Sequence, residues 1–426
     1  MFKILQILPK RPILKLFEPN CSHNVRTILS QAYYCEDVWN QRLSNPVLQK
    51  VNLDDLFYEL DQRFNKTKQL NAIDIDVFAN AIRDDSLCDE LLDVVHKLRI
   101  TADTCNTLES TSHAVVRVLL QSGKAEELIN ALDDRLNYGL FLDDYTANLL
   151  MDTFWKSKEY THGARVASQL MLQEEVEHPL FCSFALLHCY NYLLNPTGWP
   201  EYAPPPEPEE EVKIRVKYLR NLYGDEHFDL RDGKKIVGKT LAIISKGKND
   251  PLHQSFYVLG LALFGKPDLL RSFTSEVTKP LYKEVFALIP EESNVGEIIN
   301  QLQTESIDLS NVLIENVKTA AQQTLESDIT QQCDTFKKWE SDRIQQLEAQ
   351  KERLKTAKRL QSIEDINKAL KEKEERLWFF ENEETIDLAI ESKVKYYPTR
   401  WFGPRRKPKE ADASYVPPEV HTKQLG

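Results

Sequence analysis

The sequence predicts an all-α fold: a solenoid of helix pairs, then a long charged helix or helical hairpin, then a basic extended tail. Three observations predict it. Segments recur 35 residues apart, and each copy reads as two amphipathic helices. No glycine or proline interrupts the chain between Gly296 and Pro398, where leucines and isoleucines fall seven apart among charged residues. Only 13 glycines occur in 426 residues, a share that counts against a glycine-punctuated enzyme of strands and tight loops. Hydrophobic residues make up 42% and charged residues 28%, as in a globular protein with a core, and no apolar run is long enough to span a bilayer.

The formal net charge of −12 argues against nucleic acid at first sight, but it hides an asymmetry. The first thirty residues carry +4, the stretch Lys393 to Lys409 carries +7 with no acid, and the remainder carries −23. Residues 1–30 interleave Lys3, Lys10, Arg11, Lys15 and Arg26 with Phe2, Ile4, Leu5, Ile7, Leu8 and Ile13, an acid-poor amphipathic pattern of mitochondrial targeting type. Lys10, Arg11 and Lys15 break the uninterrupted apolar block that a secretory signal needs. Seven scattered cysteines include no Cys-x-x-Cys pair, so neither a zinc site nor a disulfide framework is expected; free thiols suit a reducing cytosol or matrix.

Residues 31–195 hold the N-terminal helices and the clearest repeats. Thr111 to Val116 recurs as Thr146 to Met151, and Gln121 to Ala125 as Lys156 to Tyr160. In the second copy Leu149, Leu150 and Phe154 form one apolar face, and Ala164, Ala167, Leu170 and Met171 the next. Tyr138-Gly139-Leu140 is expected to end a helix with Gly139 left-handed, and Asp143 or Asp144 to cap the following one. Weaker copies lie at Asp89 to Leu92, at Phe181 to Leu187 and at Gly265 to Leu270. A single helix pair cannot bury its own face, so the pairs must stack.

The segment "YGLFLDDYTANLLMDTFWKSKEYTHGARVASQLMLQEE", Tyr138 to Glu175, resembles the pentatricopeptide repeat family, whose unit is a thirty-five-residue helix pair. Within that family the chain is most similar to the pentatricopeptide-type proteins of the mitochondrial small ribosomal subunit; "LGLALFGK" near Gly265 and the late charged helix fit the same layout. The resemblance covers roughly residues 30 to 380. It implies ribosomal RNA and neighbouring mitochondrial ribosomal proteins as partners, with transfer RNA a further candidate. In base-reading members a polar residue early in the first helix bonds a base edge, and Asn148 occupies that place. Its counterpart thirty-five residues earlier is His113, and Leu142 stands where proline is common, so a sequence code is not expected.

Residues 196–240 read as an acidic, proline-rich insert and turn, with a short strand possible at Val212 to Val216. Within it Gly233-Lys234-Lys235-Ile236-Val237-Gly238-Lys239-Thr240 satisfies the phosphate-loop pattern, in which Lys239 would meet the terminal phosphate and Thr240 magnesium. The charged residues before it are unlike the buried strand such a loop requires, so an exposed turn leading into a helix at Thr240 to Ser245 is expected. Residues 241–300 continue the helical repeats. Residues 301–392 form a long coiled-coil-like helix with a seam through Leu347, Leu354, Ile363, Leu370 and Leu377, to be covered by a second copy or by another protein.

Residues 393–426 form the tail. Lys393, Lys395, Arg400, Arg405, Arg406, Lys407 and Lys409 alternate with Tyr396, Tyr397, Trp401 and Phe402, bases for phosphates and rings for stacking on nucleobases. These residues, with Asn148, are the candidate RNA-binding set. No catalytic constellation, metal cluster, cofactor motif or small-molecule site emerges. The expectation is a non-enzymatic, RNA-binding structural component of the mitochondrial small ribosomal subunit, with no membrane partner. The alternatives are a free mitochondrial pentatricopeptide factor acting on a transcript or tRNA, and a nucleotide hydrolase using Lys239 and Thr240.

Overall fold

The computed structural model describes residues 28–83, 85–200, 232–275, 280–289 and 303–393. The chain divides into two units, Met1–Ala349 and Gln350–Gly426. Residues 1–27 of the targeting leader, the strand considered at Val212 to Val216, and the tail beyond Lys393 lie outside the described residues.

In the first unit, short helices α1 (Glu36–Gln41) and α2 (Pro46–Gln49) precede α3 (Leu53–Thr67), α4 (Ala72–Ala81) and α5 (Cys88–Ile100). Then come α6 (Glu109–Gln121), α7 (Ala125–Asp133), α8 (Asp144–Ser157), α9 (Tyr160–Gln173) and α10 (Pro179–Leu194). After the insert follow α11 (Gly233–Ser245), α12 (Pro251–Phe264), α13 (Pro267–Thr274), α14 (Lys283–Phe286) and α15 (Leu309–Ser392). The first helices α6, α8 and α10 start at residues 109, 144 and 179, and the second helices α7 and α9 at 125 and 160, so the 35-residue period is the period of the backbone. First helices stack as α4–α6–α8–α10 and second helices as α7–α9–α11. Their apolar faces merge into one core that includes Phe78, Leu91, Val115, Leu150, Phe154, Phe181 and Phe184. Truncating one such phenylalanine to alanine costs about 3–5 kcal/mol.

The period extends to left-handed residues. Gly123 ends α6 with φ 72°, and Lys158, thirty-five residues on, ends α8 with φ 64°. Gly139 has φ 63°, and Glu174 repeats it at the end of α9 with φ 63°. Gly139 is left-handed as expected, but α7 ends earlier, at Asp133, and turns fill the interval. Asp143 is the cap of α8: its Oδ1 accepts from the Thr146 backbone at 3.0 Å while the Thr146 hydroxyl accepts from the Asp143 N–H at 3.2 Å.

Polar contacts between successive pairs fall at, or one residue short of, the same spacing. Lys124 Nζ meets Asp89 Oδ1 at 2.6 Å, Arg165 Nη2 donates to Asn130 Oδ1 at 2.8 Å, and Arg135 Nη2 donates to the Gln169 carbonyl at 2.7 Å. The His188 Nε2–H donates to the Met151 carbonyl at 2.9 Å, and its ring lies over Gly163, where a Cβ would sit 2.1 Å from Nδ1.

The insert falls inside one pair. α10 and α11 both pack on α9 and on each other, so they are the two helices of the fourth pair. Its two ends meet, with Trp199 seated on Gly233 and 5.3 Å from the Tyr192 ring. One pairing is not evident in the sequence: the two-residue strands Leu281–Tyr282 and Thr304–Glu305 pair in parallel, and the Tyr282 N–H donates to Ser255 Oγ at 3.0 Å.

α15 is one continuous helix, not a hairpin. Within the first unit it packs on the solenoid through Leu309, Leu313, Val317, Ala320 and Ala321, and further on through Trp339 and Arg343. In the second unit, residues 351–381 of the helix are all exposed.

Candidate nucleic-acid interface

Where this solenoid could meet RNA depends on the polar position early in each first helix. Asp76, His113 and Asn148 are each the fifth residue of α4, α6 and α8. All three are buried, at 0%, 2% and 0% exposure. They are buried by the chain itself, since α15 runs across all three. Arg343 Nε pairs with Asp76 Oδ2 at 2.5 Å. Phe336 and Trp339 place their rings 5.3 and 5.1 Å from the His113 imidazole. Asn148 Nδ2 donates to the Tyr33 hydroxyl at 3.2 Å, which in turn donates to Asp328 Oδ2 at 3.2 Å. From Asp328 to Arg343 the helix rises roughly 22 Å, close to the ~16–20 Å that spans three stacked helices.

The groove is tied along its length. Asp76 also accepts from the Thr111 hydroxyl at 2.9 Å, from Asn80 Nδ2 at 2.9 Å and from the Ser110 hydroxyl. Arg117 donates to His113 Nε2 at 2.9 Å, to the Tyr34 carbonyl at 2.8 Å and to the Tyr145 hydroxyl at 3.1 Å, and its guanidinium lies 5.2 Å from the Trp39 ring centre. Burial, with Arg117 and Arg42 nearby, holds His113 well below the ordinary imidazole range. At His178 burial acts downward, but the hydrogen bond and charge of Asp328, joined by Asp144, outweigh it and raise the pKa.

A cleft of about 810 Å³ remains between α15 and the solenoid. Its lining sets Arg99, Arg135 and His178 against Glu109, Asp143, Asp144, Glu175 and Asp328. That excess of carboxylates disfavours a polyanion. In this arrangement Asn148 is buried and its amide nitrogen bonds the Tyr33 hydroxyl, so it braces that residue.

The phosphate-loop pattern is also resolved by geometry. Asp232 caps α11 and the helix begins at Gly233, so the whole motif is helical where a turn was expected. Thr240 is fully buried and donates to the Ile236 carbonyl at 2.9 Å, and the Lys239 ammonium lies 5.1 Å from the Phe264 ring centre. Gly238 and Gly260 let α11 and α12 touch: a Cβ on Gly260 would lie 2.7 Å from the Gly238 carbonyl, and one on Gly238 2.5 Å from Leu263 Cβ. The glycines serve a helix crossing, and no loop of backbone amides exists to cradle phosphate.

Of the tail candidates only Lys393 is described, as an exposed turn residue whose N–H bonds the Ala389 carbonyl at 3.2 Å. Lys395, Tyr396, Tyr397, Arg400, Trp401, Phe402, Arg405, Arg406, Lys407 and Lys409 lie outside the described residues. The structure does expose a second basic surface. Lys351, Arg353, Lys355, Lys358 and Arg359 stand on bare helix with Glu352 as the sole acid among them. The sequence shows those charges; what it cannot show is that, among the described residues, they all stand exposed.

A solenoid of thirty-five-residue pairs whose groove is closed by a late helix is thus joined to a charged helix. The family model described as mitochondrial 28S ribosomal protein S27 matches residues 6–371. The chain belongs to that family. It is accordingly a component of the mitochondrial small ribosomal subunit, resident on the ribosome in the matrix. The family is structural, and its membership implies ribosomal RNA and ribosomal proteins as partners. The match takes in the solenoid and the basic turns of α15 and stops before the tail. Among the described residues no group of three or more His, Cys, Asp or Glu could hold a metal, and no helix is long and apolar enough to cross a membrane.

Proposed function

We propose that this chain is a non-enzymatic, RNA-binding scaffold of the mitochondrial small ribosomal subunit that supports translation by holding rRNA against protein. Its solenoid holds the part of α15 from Leu309 to Arg343. The RNA contacts come from Lys351, Arg353, Lys355, Lys358 and Arg359 and from the segment Lys393 to Lys409. There Lys393, Lys395, Arg400, Arg405, Arg406, Lys407 and Lys409 neutralise phosphates, while Tyr396, Tyr397, Trp401 and Phe402 stack on unpaired bases. One observation carries the reading: five exposed bases against one acid on a nine-residue stretch of bare helix, in a chain otherwise strongly acidic.

The alternative of a free pentatricopeptide factor reading a transcript or tRNA needs an open base-reading face. Asp76, His113 and Asn148 all lie under α15, so no observation favours it. Sucrose-gradient sedimentation of mitochondrial lysate tests the proposal. The chain is expected to comigrate with the small subunit as salt is raised to moderate levels. A position near the top of the gradient would instead speak for the free factor.

A further inference from the structure

Beyond the basic turns, α15 changes character. At 100° per residue, Ile363, Ile366, Leu370, Leu377, Phe380 and Leu388 fall within a sector of roughly 100°. They are 52–67% exposed; Trp378, Phe379 and Ile390, on other faces of the helix, are exposed too. A stripe of this size does not stay in water: such patches mark interaction surfaces. Its borders are mainly acidic, with Glu374 and Glu381 on one side and Glu383 and Asp387, flanking Arg376, on the other. From Ile363 to Ser392 the helix carries ten acids and four bases, a net −6.

That charge decides between occupants. RNA is repelled by it and finds few donors on an aliphatic seam. A second copy of this chain fits no better. In a parallel pair Lys373 would face Lys373 and Glu384 would face Glu384 inside the seam, and either orientation lays −6 against −6. We infer that residues 363–391 are the docking face for a basic amphipathic helix of a neighbouring small-subunit protein. Its apolar residues, spaced three and four apart, fill the stripe, and its Lys and Arg side chains border Glu374, Glu381, Glu383 and Asp387. The inference rests on the ribosomal reading and names the chemistry of one partner.

Zero-length carbodiimide coupling on isolated small subunits tests it, with glycine ethyl ester present to amidate any free carboxylate. Peptide mass spectrometry should find Glu374, Glu381 or Glu383 joined to lysines of another ribosomal protein, within a segment that has apolar residues at helical spacing. Links to the same helix of a second copy, or to Lys393–Lys409 of this chain, would overturn the inference. So would amidation of all three glutamates by the ester, which would mark the face as bare. If the chain is missing from the subunit fraction altogether, the ribosomal reading has failed instead, and the two failures are told apart before any coupling is done.

Discussion

Arg343 and Asp76 form an ion pair buried to 4% and 0% exposure, although 267 residues separate them in the chain. The pair anchors α15 across the mouth of the solenoid at α4. Two charges held away from water are stabilising only while both are present, because either one alone keeps its desolvation cost without its partner.

Arg343→Met should therefore destabilise the protein by about 3–5 kcal/mol, leaving the Asp76 carboxylate buried against only hydroxyl and amide donors. Urea unfolding followed by tryptophan fluorescence would measure it, since Trp339 sits one turn away. A loss under ~1 kcal/mol would mean that the pair does not hold the helix down.

Lys158 occupies the left-handed position that Gly123 fills in the preceding repeat. An L-residue there carries a steric cost of about 1 kcal/mol, and Lys158 is exposed, so its side chain has little packing to lose. Lys158→Gly should raise stability by up to about 1 kcal/mol, while Gly123→Ala should lower it. Thermal melts of both variants decide the matter; two shifts of the same sign would contradict the equivalence of the sites.

His188 is fully buried, and burial pulls its pKa down to about 4 even though the Met151 carbonyl acts the other way. As pH falls, the unfolded chain takes up this proton near 6.5 and the folded one only near 4. The contribution of His188 is thus whole above about pH 6.5 and is lost between there and 4. From pH 7.5 to 5 the native protein should lose about 2 kcal/mol more than His188→Asn. His178, raised by Asp328, works in the opposite sense in both proteins and cancels in that comparison. Equal losses in urea titrations at the two pH values would refute the assignment.

RNA affinity should separate the groove from the basic surfaces. Asn148→Ala is expected to leave rRNA-fragment affinity within about twofold while reducing stability by about 1–3 kcal/mol, as loss of a buried hydrogen-bonded group does. Charge reversal at Arg405, Arg406 and Lys407, or at Lys351, Lys355 and Lys358, should weaken binding strongly at 50 mM salt and less at 200 mM. Unmodified protein should lose orders of magnitude over the same range. Filter binding at both salts reads all of these; salt-independent affinity would rule out phosphate contacts.

Much of this arrangement was legible beforehand, and the reasons for the rest are physical. The 35-residue offset announces itself because Thr111 and Thr146 begin matching apolar faces, and the structure starts their helices at residues 109 and 144. The start of α11 was misplaced because Gly238 reads as a loop residue when its partner, Gly260, is not in view. Burial of Asn148 could not be foreseen either. It depends on Tyr33 and Asp328, 115 residues before and 180 after, and no local pattern records such a meeting. The stretch Lys351 to Arg359 reads in the sequence like the charge crowding of any helix face, and its exposure among the described residues is what sets it apart.

The insert between α10 and α11 leaves and rejoins the fourth pair at points that touch, Trp199 against Gly233. Both flanking helices pack on α9 and on each other. A gene that lengthens that insert leaves both touching ends, and the seat of each flanking helix on α9, as they are. The insert is the natural place to splice in an affinity handle for pulling intact subunits out of the organelle.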